Sequence, residues 1–244
     1  MGQLLEALKQ IEDRSPLPRP VKPVAVEELA TMDHSAASDR RARVESENQP
    51  TPIDPRYREL LGTILSQMAL GNEMALLVAG FAADEARGGQ LAAMYPLLAR
   101  QVEGGLLVVD ADSRHASLGE RFDFPHEHGL ADVLAGRVRW QDVVRAARHA
   151  GLYLLPGSPR STGQVPFRPN DLSSLLPELR QAHRLVIVDT VLSTTQEIAG
   201  WAAICDAVLL TLRLGVTPRR QVRHAIDAIQ ARNGSVLGCV LLEP

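Results

Sequence analysis

From Tyr57 onward the apolar residues follow two alternating rhythms. In RYRELLGTILSQMA they recur at helical spacing, whereas the following MALLVAGF is a short continuous apolar run. Such a run suits a strand covered on both faces, since a half-solvated strand would alternate polar and apolar positions. The alternation continues to the end of the chain. LAAMYPLLARQ, GLADVLAGRVRWQDVVRAARHAG, LSSLLPELRQAHR, TTQEIAGWAAIC and TPRRQVRHAIDAIQARNG have helical character, and they separate the strand-like runs GGLLVVDAD, LYLLPGSP, LVIVDT, DAVLLTLRLG and SVLGCVLLEP. Helix and buried strand in alternation predict an α/β fold, a doubly wound and mostly parallel sheet with helices on both faces. In that three-layer architecture ligands bind beyond the carboxyl ends of the strands.

The first quarter of the chain follows neither rhythm for long. Residues 1–14 carry Leu4, Leu5, Leu8 and Ile11 at helical spacing, a short amphipathic helix with few neighbours to bury it. It has two readings, a capping helix on the domain or a docking peptide for another protein. Residues 15–54 are rich in Pro, Ser, Ala and charge with no sustained period, the composition of a disordered linker. Residues 55–244 then form the expected folded domain. With 45% apolar residues among 244, the chain can bury one core of ordinary size.

Charge and cysteine usage narrow the classes of partner. A formal net charge of -3 gives no global basic field for nucleic acid. The opening residues do not form a signal peptide, and no apolar run approaches the roughly 18 residues of a membrane span. The expected location is cytoplasmic. Cys205 and Cys239 each fall in an apolar strand-like run, which favours buried thiols over a disulfide or a metal site.

The order of motifs carries a resemblance. VVDADSRHASLGERFDFPHEHGLADVLAGRVRWQDVV is similar to the second nucleotide motif and following region of the bacterial tyrosine autokinases that work with polysaccharide chain-length regulators. These are relatives of the ParA and MinD type P-loop ATPases. LYLLPGSP resembles that family's strand and Gly-Pro turn, HRLVIVDT its Walker B strand, and LLTLRLGVTPRRQVRHAIDAIQARNGSVLGCVLL its last strand-helix-strand unit. LLEALKQIE resembles a short helix that often opens stand-alone cytoplasmic members. The resemblance implies a P-loop NTPase-like domain from about Pro55 to the end, and a role in exopolysaccharide synthesis or export.

Departures from the family pattern concern the chemistry. A phosphate loop needs glycine amides facing the phosphates, a lysine reaching the β and γ phosphates, and a Ser or Thr hydroxyl on the metal. The family spacing, counted back from Asp110, places that position at Arg87-Gly88-Gly89-Gln90. The only lysines of the chain are Lys9 and Lys22, so no lysine exists anywhere in residues 55–244. Arg87 is the nearest substitute, but its planar fork differs in shape from the point charge that the loop encloses. Asp84 and Glu85 add negative charge beside it. Pro96 implies either a kinked helix or one whose N-terminus is displaced from the loop.

By resemblance, Asp110 and Asp112 stand where the family positions magnesium and its attacking group, and Asp189 where it holds metal-bound water. Without a loop lysine these carboxylates are expected to be vestigial, paired with arginines such as Arg114 or Arg87 in a structural cluster. The tyrosines are Tyr57, Tyr95 and Tyr153, with no cluster after the last strand-like run to serve as autophosphorylation substrate. The family's oligomerising helix carries a glutamate and two arginines at three-residue spacing, where Pro55, Arg58 and Leu61 stand here. PHEHG brings His126 and His128 beside Glu127 at a spacing that fixes no metal geometry, so a solvated turn is expected. Arg219, Arg220, Arg223 and Arg232 make one helix face basic, and no aromatic interleaves with them for stacking on nucleic acid.

These readings converge on a catalytically inactive ATPase or kinase relative, with no catalytic residue, metal or cofactor, acting as a binding or regulatory module. Its expected partner is a protein, an inner-membrane chain-length regulator or an active kinase paralogue, which would hold it at the inner membrane. Homodimerisation stays open. One alternative is a divergent ATPase or tyrosine kinase in which ATP and magnesium engage Arg87, Asp110, Asp112 and Asp189. A weaker one is a MinD-like positioning factor that uses the leading helix on membrane.

Overall fold

The computed structural model describes residues 55–69, 73–81, 85–112, 118–122, 124, 127–157, 168–191 and 194–242. The leading helix and linker expected over residues 1–54 lie outside the described residues. Within them, helix α1 (Pro55–Met68) leads into strand β1 (Met74–Gly80), helix α2 (Glu85–Ala99) and strand β2 (Leu106–Asp110). Three short helices follow, α3 (Leu118–Arg121), α4 (Leu130–Leu134) and α5 (Trp140–Val143). Strands β3 (Arg145–Ala146) and β4 (Leu152–Leu155) precede helices α6 (Pro169–Ser173) and α7 (Leu176–Ala182). The chain closes with β5 (Leu185–Val191), α8 (Thr195–Ala202), β6 (Ala207–Arg213), α9 (Arg219–Gln230) and β7 (Val236–Leu242).

The strands form one seven-stranded sheet in the order β3-β4-β2-β5-β1-β6-β7, parallel throughout except for the β3–β4 pair. Every residue of β1 and β2 is buried, as are six of seven in β5 and in β6. A sheet whose central strands are dry on both faces must be covered on both, and this is why MALLVAG, LLVVD and LVIVDT are continuous apolar runs. The architecture is the doubly wound, mostly parallel α/β fold of the sequence prediction.

Two helical segments are more broken than their periodicity suggests. GLADVLAGRVRWQDVVRAARHAG divides into α4, α5 and the antiparallel edge strand β3, and Gly136 stops α4 in the left-handed region at φ +70. LSSLLPELRQAHR divides into α6 and α7, with Pro177 at the start of the second. Gly129 has a different purpose. A Cβ there would lie 1.7 Å from the Gly157 carbonyl oxygen, so the backbone preceding α4 presses directly on the turn that follows β4. The Leu130 N–H donates to the Pro156 carbonyl at 2.9 Å across the same contact. The GLADVLAG and LLPG stretches are thus two sides of one joint.

Asp132 secures that joint. Its carboxylate accepts from the Gly129 N–H at 3.0 Å and from Arg137 Nε and Nη2, both at 2.8 Å. Burial pushes the Asp132 carboxyl up, but the Gly129 amide, Arg137 and His128 outweigh it and hold it below the ordinary carboxylate value.

Cys239 lies in β7 as expected, whereas Cys205 falls in the turn between α8 and β6. Both thiols are free, and burial raises them to about 11 and about 12 respectively, far from the reactive thiolate range.

Candidate functional site

Parallel pairing brings the sequence-predicted carboxylates to the carboxyl edge of the sheet. β2 and β5 are neighbours, and their register sets Asp110 directly beside Asp189. Two further bonds lace the strand ends together. The Ala111 N–H donates to the Asp189 carbonyl at 2.8 Å, and Thr190 Oγ1 donates to the Ala111 carbonyl at 3.2 Å. Both side chains are withdrawn from water, Asp110 at 2% and Asp189 at 5% relative exposure. Asp112 is half-buried at the rim.

Each buried carboxylate has a defined occupation. Asp110 Oδ1 accepts the Asp112 N–H and Oδ2 accepts the Leu118 N–H, each at 3.2 Å, so one side chain holds both ends of the loop that leads into α3. Asp189 Oδ2 accepts a hydrogen bond of 2.7 Å from the Tyr95 hydroxyl, reaching in from α2. Tyr95 is completely buried, as are Met94 and Leu98 in the same helix. Burial pushes the Asp110 carboxyl well above its ordinary range; the charge of Asp189 and then that of Asp112 push the same way, against the two amide hydrogen bonds.

Helix α2 corrects one expectation from sequence. It is continuous from Glu85 to Ala99 with Pro96 inside it, so its N-terminus is not displaced to the proline. Pro96 sits in the last turn, where its missing N–H costs one helical bond while its carbonyl still accepts from the Arg100 N–H at 3.3 Å. Arg87, Gly88, Gly89 and Gln90 consequently fall in the opening turns of α2. The side chains of residues 82–91 lie outside the described residues, as do Arg114 and His126.

Other predicted residues disperse. Arg58 is exposed on α1, whereas Leu61 turns inward with 2% exposure, and so one position of the oligomerising pattern is spent on the domain's own core. Glu127 and His128 are exposed, with His128 Nδ1 at 3.8 Å from Asp132 Oδ2. The basic face of α9 is shorter than four arginines imply. Arg220 and Arg223 are exposed, Arg219 is half-buried, and Arg232 lies past the end of the helix. Sequence reading missed Tyr95, treating it only as a scattered tyrosine. A phenol on an apolar helical stretch, beside Met94, needs a buried acceptor, and that was the available signal.

No family model matches the chain. Its relatives include the succinoglycan biosynthesis transport protein ExoP of Rhizobium meliloti, 25% identical over 182 residues, which are 72% of this chain and 23% of ExoP. CapB of Staphylococcus aureus is 22% identical over 198 residues, 78% of this chain and 83% of CapB. The chain therefore spans under a quarter of ExoP but most of CapB. Among solved structures, the chimerical protein CapA2B2 superposes with a TM-score of 0.65 at 20% identity, covering 81% of this chain and 88% of that one. The kinase domain of the Escherichia coli tyrosine kinase ETK gives 0.63 at 20% identity, covering 84% and 85%. Homologues of the chain are bacterial tyrosine-protein kinases, and its fold is that of their P-loop kinase domains.

Proposed function

We propose that this chain is a catalytically silent relative of the tyrosine kinases that serves as a binding or regulatory module in exopolysaccharide or capsule synthesis or export. The observation that carries this reading is the Tyr95–Asp189 hydrogen bond of 2.7 Å. The carboxylate that by resemblance would hold metal-bound water instead accepts the hydroxyl of a buried side chain from the helix that should face the phosphates. A second feature supports it independently. Residues 55–244 contain no lysine, so nothing in the domain supplies the compact cation that a phosphate loop places on the β and γ phosphates. A triphosphate entering beside Asp110, Asp112 and Asp189 would meet carboxylates without that compensation. The module accordingly uses no cofactor and has no catalytic residue. Its partner is a protein, a chain-length regulator of the inner membrane or an active kinase paralogue, met at the cytoplasmic side.

Isothermal titration with ATP and with ADP, each with magnesium to millimolar concentration, tests this. The expected result is no heat of binding. Saturable binding that Arg87→Ala abolishes would overturn it in favour of a divergent nucleotide site built on Arg87, Asp110, Asp112 and Asp189. One observation supports that second reading, the start of α2 at Glu85 shortly after β1, with Arg87, Gly88 and Gly89 in its opening turns.

A further inference from the structure

Large apolar side chains are well hidden in this fold, and the exceptions gather at one corner. Among the described residues the exposed large hydrophobics are Leu214 at 38%, Val216 at 53% and Leu241 at 42%. Leu214 and Val216 lie in the turn between β6 and α9, which is closed by hydrogen bonds to the Arg213 carbonyl from Val216 N–H at 3.2 Å and Thr217 N–H at 3.0 Å. The Leu214 N–H donates to the Leu242 carbonyl at 3.1 Å, which brings the end of β7, with Leu241, to the same corner. Arginines border it. Arg213 ends β6, Arg219 and Arg220 open α9, and Arg223 follows one turn later, with Asp227 the first acid along the exposed face of the helix.

This arrangement works against local stability. Cations in the first turn of a helix oppose its dipole, and the first turn of α9 carries arginines and no acidic residue. Leu214 and Val216 remain partly in water although β6, the strand that leads into them, is buried up to Leu212. Where a sequence breaks two local rules at one place, an external partner is the usual reason. The exposed Arg220 and Arg223 call for an anionic partner, one that also accepts aliphatic side chains beside them.

We infer that this corner, the β6–α9 turn with Leu241 and the arginines that open α9, docks on an anionic lipid surface, with the aliphatic side chains entering the interface and the arginines among the headgroups. A polyphosphate backbone would answer the arginines but offers nothing to Leu214 and Val216. An acidic protein helix would need a groove for its apolar face. The corner is a turn tip beside a helix face, and the cavity of about 410 Å³ lined by Glu73, Leu176, Pro177 and Arg180 lies at the opposite, amino edge of the sheet. The inference does not depend on whether the nucleotide site is silent.

Co-sedimentation of the full chain with vesicles tests it, comparing phosphatidylglycerol mixed equally with phosphatidylcholine against phosphatidylcholine alone, at low and high salt. Binding is expected to the mixed vesicles alone, weakening with salt and unaffected by inorganic phosphate at matched ionic strength. The pair Arg220→Gln and Arg223→Gln should lower affinity about thirty-fold. The pair Leu214→Ser and Val216→Ser should lower it several-fold, both with unfolding temperatures like the parent's. Absence of binding at low salt would overturn the inference. Binding that ignores the arginine pair would also overturn it, because another part of the chain would then be responsible. Binding that ignores the serine pair would overturn it as well, since Leu214 and Val216 would then not enter the interface.

Discussion

Tyr95→Phe is the sharpest perturbation of the site, because it deletes one oxygen and leaves the ring that fills the core. In the parent that oxygen donates to Asp189 Oδ2 at 2.7 Å in a buried setting, a hydrogen bond to an acceptor that carries charge when ionised. Such bonds contribute about 1.5–3 kcal/mol, and a buried acceptor deprived of its donor costs a similar amount in desolvation that water cannot return. Tyr95→Phe should therefore destabilise by about 2–3 kcal/mol. For a domain of this size that lowers the unfolding midpoint by roughly 4–12 °C.

Denaturant unfolding of Tyr95→Phe, Asp189→Asn and the double variant isolates the pairwise term, which should exceed about 1 kcal/mol for groups in direct contact. Magnesium supplies a second readout. If Tyr95 occupies the carboxylate in place of a metal-bound water, magnesium leaves the parent's unfolding midpoint unchanged, since only a ligand that binds the folded state raises it. A coupling below about 0.5 kcal/mol would refute the reasoning. So would a magnesium-dependent rise in the parent's midpoint.

Three further outcomes follow from the same geometry. Asp110 is raised in the folded state, so its favourable contribution is present below the unfolded carboxylate value and is lost as pH rises through the folded one. Asp110→Asn should then stabilise the protein at neutral pH by about 1.4 kcal/mol per unit of elevation, less what its weaker hold on the Asp112 and Leu118 amides costs. A stability difference from the parent that does not grow between acid and neutral pH would contradict this. Asp132 is lowered, so its contribution is present above the unfolded value of about 3.9 and is lost as pH falls through the folded one. Asp132→Asn should cost about 1–3 kcal/mol at neutral pH, and acid titration of both proteins should show the gap closing. Gly129→Ala drives a methyl against the Gly157 carbonyl at 1.7 Å and should cost more than about 4 kcal/mol, read as loss of cooperative unfolding or of soluble protein.

Most of the architecture was legible because the central strands are buried on both faces, which leaves continuous apolar runs that few other structures produce. The helices around β3 were less so. Residues 129–151 keep enough helical periodicity to suggest one element, yet Gly136 and the edge pairing of Arg145 and Ala146 divide it, and edge pairing is a tertiary event that no local pattern announces. Pro96 misled in the other direction. It suggested either a kinked helix or a displaced N-terminus, and the displacement does not occur, because a proline in a last turn removes a single bond, which the buried Tyr95 and Leu98 on either side outweigh.

The carboxylates give the clearest case of a site half legible from sequence. Their positions at the strand ends followed from the motif order, but their occupations did not, because Tyr95 and Asp189 lie 94 residues apart in the chain. Those occupations also explain how the acids fit a domain without a phosphate-loop lysine. Asp110 binds both ends of the loop into α3, and Asp189 ties α2 to β5 through Tyr95. Here each holds a neighbouring element to the sheet, a use that needs no ligand. The consequence is that substitution at Asp189 acts on stability before it acts on any binding. An Asp189 variant that bound partners differently but unfolded like the parent would show that the carboxylate still faces outward.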